Sequence, residues 1–173
     1  MPRVFICAKT IEIFGEVCYN IIDMDKATAK QYNAATLAFL GDAVFTQYVR
    51  EMLVRDHDEK SGGLHKIASS YVCAHAQSVA YEAILPSLTD EEADVARRAR
   101  NCHTSSRAKN AIVGDYRRAT ALEGLFGYLK LIGEDARLNE LMAVAVRAID
   151  ETRRPYNALS NIKIPAQGEK QYE

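Results

Sequence analysis

The sequence lacks the cysteine spacing of a zinc site. No two of its four cysteines form the CxxC motif that brings two thiolates onto one zinc ion; they are Cys7, Cys18, Cys73 and Cys102. We interpret them as reduced thiols without a metal-binding role. A chain of 173 residues can bury a hydrophobic core without disulfides or metal staples, so one ordinary domain is expected.

Long apolar runs, internal repeats and low-complexity tracts are also missing. The longest apolar run near the start covers residues 4–8, which is too short for a signal peptide and far too short to cross a bilayer. The composition, 48% hydrophobic and 26% charged, is typical of soluble globular proteins. These features predict a cytoplasmic protein that does not contact a membrane.

Positive charge is scarce overall but concentrated in one segment. The chain has a formal net charge of -1, yet residues 97–118 hold a single acid, Asp115, and seven bases: Arg97, Arg98, Arg100, Arg107, Lys109, Arg117 and Arg118. A local cluster of this kind favours an anionic partner, and phosphate backbone is the usual candidate. A solvated charged face remains the alternative.

The hydrophobic pattern predicts an all-α fold with one helical domain over residues 31–154. Residues 1–30 form an extension of uncertain structure, and 155–173 an irregular tail. A capping box at Thr89 and Glu92 opens one short helix, and Gly133 separates the last two helices. The expected helices cover residues 33–55, 64–85, 89–100, 119–131 and 134–152, with a loop over 101–115.

Asp42 is a carboxylate in the middle of a long apolar helical stretch, AATLAFLGDAVF, over residues 34–45. Burial of an unpaired carboxylate costs several kcal/mol or forces protonation, so the pattern predicts a compensating cation, donor cluster or metal. Gly41 beside it is a poor helix former. With Ala38 and Ala43, this glycine would leave a shallow surface that a backbone can approach.

Glu123 has a similar position in TALEGLFGY, over residues 120–128. On a helix, Thr120, Gly124 and Gly127 would share its face, so the acid stands on a glycine-lined strip. Thr120 and Glu123 also match a capping box, in which the glutamate would only bond the start of its own helix. Both interpretations stay open at this point.

Carboxylates on two helices can together bind Mg²⁺, which prefers oxygen ligands and suits phosphodiester hydrolysis. Asp42 and Glu123 are therefore the candidate catalytic and metal-binding residues. The basic segment just before Glu123 supplies candidate RNA-binding residues, which are Arg97, Arg98, Arg100, His103, Arg107, Lys109 and Arg117.

Two segments resemble a known family. LAFLGDAV, residues 37–44, looks like the signature helix of the ribonuclease III domain, and EGLFG, residues 123–127, looks like its second acidic motif. The spacing and the absence of a double-stranded-RNA-binding domain resemble the compact subgroup, Mini-ribonuclease III. Shorter likenesses lie at residues 65–66, 71–72, 76–77, 98–101, 109–111 and 116–117. The resemblance covers about residues 33–141.

The resemblance implies a ribonuclease III-type catalytic domain and a homodimer in which the signature helices pack across a two-fold axis, with Phe39 at the contact. It implies a magnesium-dependent endoribonuclease that cleaves double-stranded RNA to leave 5′-phosphates, in maturation of large-subunit (23S-type) ribosomal RNA. Of the four acids of the larger family, Asp42 and Glu123 match, while Ala38 and Thr120 occupy the other two positions.

That departure leaves an alternative from another class. A catalytically silent member would keep the fold and act as a duplex-RNA-binding or ribosome-associated module. A helical interaction domain, in which an internal arginine compensates Asp42, is a more distant possibility. Cleavage of duplex RNA with magnesium distinguishes these hypotheses.

Overall fold

The structure is a computed structural model that describes residues 24–56, 60–102 and 113–160, with side chains described to residue 153. Every regular element in these ranges is helical, which confirms the predicted all-α class. The helices are α1 (Lys26–Lys30), α2 (Ala34–Asp56), α3 (Ser61–Tyr71), α4 (Ala74–Ile84), α5 (Asp90–Arg100), α6 (Val113–Leu131) and α7 (Asp135–Ser160), with a 3-10 turn at Leu85–Ser87.

The single helix predicted over residues 64–85 is wrong, because it is two helices. The chain bends between α3 and α4, where Cys73 adopts an extended backbone conformation. The hydroxyls of Ser69 and Ser70 donate to the carbonyls of His65 and Ile67 in the preceding turn. Such local bonds compete with the helical ladder, and they fall where the helix ends.

Two other predicted boundaries are wrong. Helix α6 begins at Val113 rather than at residue 119, and α7 continues to Ser160 although Pro155 predicts an end there. The first turns of α6 have no hydrophobic period in the sequence that could indicate a helix. Polar contacts with α4 hold these turns instead. The irregular tail is therefore corrected for residues 155–160, while residues 1–23 and 161–173 lie outside the described residues.

Two local predictions are confirmed. The Thr89 side chain accepts from the Glu92 backbone N–H at 3.3 Å, and Glu92 accepts from the Thr89 backbone N–H at 2.8 Å, which completes the capping box of α5. Gly133 separates α6 from α7 with a φ of 72°, a left-handed conformation that favours glycine.

Helix α6 is the centre of the domain. It packs against α2, α4, α5 and α7, and every residue from Ala119 to Leu129 is buried except Glu123, which is partly exposed. A helix that is buried on all sides belongs to the middle of a core. The one gap in this burial is at the candidate catalytic acid. No helix in the described ranges is both long and apolar enough to cross a membrane.

Helices α2 and α6 cross in direct backbone contact. A Cβ atom added to Gly41 would lie 2.6 Å from the Glu123 carbonyl carbon and 2.8 Å from the Gly127 nitrogen. One added to Gly127 would lie 2.8 Å from the Leu37 carbonyl carbon. Real side chains do not approach backbone atoms so closely. The glycines therefore set the closest approach of the two helices, as the small residues around Gly41 predicted.

Gly41→Ala tests this crossing. The added methyl must push backbone against backbone, and we expect a loss of about 3 kcal/mol or more in unfolding free energy, despite the better helix propensity of alanine. Gly62→Ala is the matched control, since a Cβ there meets nothing within 4 Å. Urea unfolding of both variants checks the prediction, and equal stability of the two variants would refute the close crossing.

Candidate active site

The glycine crossing brings the two candidate acids together. Asp42 follows Gly41 on α2, and the backbone of Glu123 on α6 lies directly against Gly41. Asp42 is exposed and Glu123 is partly buried. The prediction that Asp42 is a buried carboxylate is therefore wrong, because α2 packs Leu37, Gly41 and Phe45 into the core and leaves Asp42 on another face of the helix. The site opens to solvent through Asp42.

Glu123 is the acid in the unfavourable environment. Burial and, after it, the nearby negative charge of Asp42 raise the pKa of Glu123 to about 7. Both effects penalise the charged form, one by removing water and the other by repulsion. A partly buried carboxyl group with a raised pKa beside a second acid is typical of a functional site. A bound cation would relieve both penalties at once.

The position of Thr120 excludes the interpretation of Glu123 as part of a capping box. The threonine lies in the second turn of α6, and its hydroxyl donates to the Tyr116 carbonyl at 3.0 Å. Neither Thr120 nor Glu123 caps a helix, so the capping-box interpretation is wrong. Thr120 and Ala38 are both buried, and neither offers a second pair of carboxylates. The site therefore has two acids rather than four.

A third side chain reaches the site from α4. Gln77 is 1% exposed, and its amide stands close enough to Glu123 to lower the pKa of that group, in opposition to the larger effect of burial. Its Nε2 nevertheless has no hydrogen-bond partner among the described residues. The contact therefore lacks the geometry of a regular hydrogen bond.

Asp115 joins α4 to the start of α6. Its carboxylate accepts from the Ser78 hydroxyl at 2.9 Å and from Arg118 Nη2 at 2.8 Å, and it lies 3.0 Å from His75 Nδ1. These hydrogen bonds, that of His75 first, lower the pKa of Asp115. Arg118 Nε also donates to Ser78 at 2.6 Å. The network holds α4, and with it Gln77, against α6.

The predicted RNA-binding residues divide into three groups. Arg97 pairs with Asp94 at 2.5 Å, and Arg98 donates to the Lys30 carbonyl at 2.7 Å, so both already have intramolecular partners. Two others, Arg100 and Arg117, are exposed and make no ion pair with the residues that the structure describes. The rest, His103, Arg107 and Lys109, lie outside the described residues.

The sequence alone indicates neither a functional role for Gln77 nor the residues that Asp115 contacts. Gln77 could have been found from its position, because it lies on the same helical face as Ala80, Tyr81 and Ile84, which are all buried. A glutamine on an apolar stripe needs a polar partner. Two of the partners of Asp115, His75 and Ser78, lie on α4, 40 and 37 residues away in sequence, and no local pattern indicates them.

The described residues form an all-helical domain in which two acids lie near each other at a helix crossing, an arrangement suited to binding a divalent cation. The Ribonuclease III domain family matches residues 35–134 of the chain. A protein named Mini-ribonuclease 3 from Brevibacillus brevis is 42% identical over 118 residues, which are 68% of this chain and 88% of that protein. Another of the same name, from Enterococcus faecalis, is 41% identical over 125 residues, 71% of this chain and 95% of that protein.

A solved structure has the same fold. The crystal structure of a protein from Fusobacterium nucleatum superposes with a TM-score of 0.62 at 28% identity, over 68% of this chain and 93% of that one. The chain therefore belongs to the ribonuclease III domain family, in the compact group of Mini-ribonuclease III proteins. It is an endoribonuclease.

Proposed function

We propose that this endoribonuclease cleaves double-stranded RNA with Mg²⁺, and that Asp42 and Glu123 are the catalytic residues that bind the ion. The observation that carries the proposal is the pair of acids at the helix crossing, where burial, and after it the nearby charge of Asp42, raise the pKa of Glu123 to about 7. Two like charges held together by a rigid backbone contact are costly unless something positive lies between them.

The residues fit magnesium better than a softer metal. The described ranges contain no cluster of three or more histidine, cysteine or acidic side chains that could enclose an ion. Mg²⁺ often binds through only one or two carboxylates and completes its shell with water and substrate phosphates. The exposed Asp42 leaves room for both. One hydrated ion per site suits this pair of acids.

Asp42 and Glu123 would hold Mg²⁺, which would supply an activated water for attack on phosphorus and positive charge for the leaving 3′ oxygen, so that the products carry a 5′-phosphate and a 3′-hydroxyl. Asp42 and Glu123 must be ionised to bind it, so Glu123 has to release the proton that its environment favours. The exposed bases Arg100 and Arg117 bind flanking phosphates, together with His103, Arg107 and Lys109 from the intervening segment. Arg97 and Arg98 would have to leave their present partners to contribute.

A second copy of the chain completes the proposed enzyme. Phe39 is 82% exposed on α2, three residues before Asp42. A large aromatic side chain at such exposure favours a covered surface. A homodimer through this face of α2 buries Phe39 and places two sites beside one A-form duplex, which is recognised by shape and phosphates more than by bases.

The substrate that we propose is the precursor of large-subunit (23S-type) ribosomal RNA, cut in the cytoplasm. Support for this substrate comes from the resemblance of the two signature segments to Mini-ribonuclease III. The alternative, a silent duplex-RNA-binding or ribosome-associated module, is favoured by one observation. Ala38 and Thr120 are buried where the larger family has acids, and the Thr120 hydroxyl is already bonded.

Asp42→Asn separates these two functions. We expect it to lower the single-turnover cleavage of long duplex RNA by at least about 100-fold, because a neutral amide binds Mg²⁺ poorly and no longer stabilises charge at the reacting centre. EDTA should abolish cleavage by the wild-type protein. Glu51→Gln, at another exposed acid of α2, should cleave normally. Wild-type protein that binds duplex RNA without cutting it would establish the silent module instead.

Salt dependence tests the basic surface. Arg100→Ala and Arg117→Ala should each weaken duplex-RNA binding and reduce the slope of log affinity against log salt by about one unit, as expected for one lost phosphate contact. Arg147→Ala, at an exposed position on α7, changes the charge equally and should leave the slope alone. Identical slopes for all three variants would assign Arg100 and Arg117 to the solvated surface.

A further inference from the structure

The buried amide of Gln77 donates no hydrogen bond to the residues that the structure describes. The side chain is 1% exposed on the face of α4 that packs into the core, beside Ala80 and Tyr81. Leucine or methionine would fill this volume without an unpaired donor. An unsatisfied buried polar group costs stability, and native proteins keep few of them.

The position of the Gln77 amide beside Glu123 indicates the role of this side chain. Glu123 is the group that Gln77 meets across the interface between α4 and α6. Nε2 makes no hydrogen bond in the described part of the chain. Hydrogen bonds in active sites are often long before the ligands bind and tighten afterwards. A donor held ready beside a carboxylate is suited to fixing one orientation of that carboxylate.

The surroundings hold Gln77 in place. The next residue, Ser78, donates to Asp115 at 2.9 Å and accepts from Arg118 Nε at 2.6 Å. Asp115 and Arg118 are on α6, as is Glu123. Helix α4 therefore cannot slide along α6 without breaking charged hydrogen bonds. The Gln77 amide and the Glu123 carboxylate therefore lie on two helices that are fixed to each other at Ser78, one residue after Gln77.

We propose that Gln77 is a positioning residue, whose buried amide donates to the Glu123 carboxylate and holds it towards Asp42, so that the two acids bind one divalent cation. This role rests on the function proposed above. Gln77 itself touches neither the cation nor the RNA. Its loss should therefore weaken metal binding while leaving RNA binding intact.

Gln77→Met tests this role, because methionine keeps the length and volume and removes the amide. We expect the Kd for Mn²⁺ of the RNA-free protein, measured by calorimetry, to rise about 10- to 100-fold, as for other partners of metal ligands. Cleavage should fall at low Mg²⁺ and recover at high Mg²⁺, with KM for duplex RNA unchanged. The metal-free variant should be at least as stable as the wild type, since it loses an unpaired buried donor. Gln77→Leu provides a second apolar replacement.

Tyr71→Phe is the structural control. It removes the hydrogen bond that the Tyr71 hydroxyl on α3 donates to Asp150 on α7 and should lower the unfolding midpoint, but it leaves the contact of α4 with α6 intact and should bind Mn²⁺ as the wild type does. Wild-type Mn²⁺ affinity in Gln77→Met and Gln77→Leu would overturn the positioning role alone. Affinity losses in Tyr71→Phe equal to those in Gln77→Met would also overturn it, in favour of a general loss of stability. If the wild-type protein does not bind Mn²⁺, or binds it no better than Asp42→Asn does, both this role and the proposed function are overturned.

Discussion

The contact of α2 with α6, backbone against backbone at Gly41 and Gly127, determines the geometry of the whole domain. With no side chains between the two helices, Asp42 and Glu123 are held as neighbours by the main chain itself. Each glycine costs roughly 1 kcal/mol of helix propensity relative to alanine. The buried surface of α6 offsets that cost, since almost every side chain of its second half lies in the core. The fold and the site therefore depend on the same contact.

The two acids of the site lower the stability of the folded protein when both are charged. The fold leaves Asp42 exposed and Glu123 partly buried, and that burial, with the charge of Asp42 as the smaller cause, raises the pKa of Glu123. A surrounding network holds the expensive pair in place: Asp115 joins α4 to α6, and Gln77 reaches Glu123 from α4. Proteins commonly give up stability at their functional sites in this way. A cation bound between the acids would restore much of that stability.

Local sequence signals predicted a large part of this molecule. The apolar period located α2, the capping box located α5, and Gly133 located the final turn, because each depends on residues close in the chain. The errors fall where distant residues decide: α6 starts early because Asp115 and Arg118 bond to α4. The same early start removed the capping explanation of Glu123. The exposure of Asp42 could not be read from its apolar neighbours either, since the crossing angle of two helices determines which side of α2 is covered.

The most direct test of the account is the pH dependence of stability of the wild-type protein relative to Glu123→Gln, without metal. A folded-state pKa of about 7, above the ordinary value of 4.5, means that the folded state binds the proton more tightly. Wild-type stability should therefore fall, relative to the variant, as pH rises from about 5 to 8, by about 1 to 3 kcal/mol. Mg²⁺ at pH 8 should then stabilise the wild type and not Glu123→Gln. A difference that does not change with pH, or equal stabilisation of both proteins by Mg²⁺, would contradict a repelling pair of acids that shares one cation.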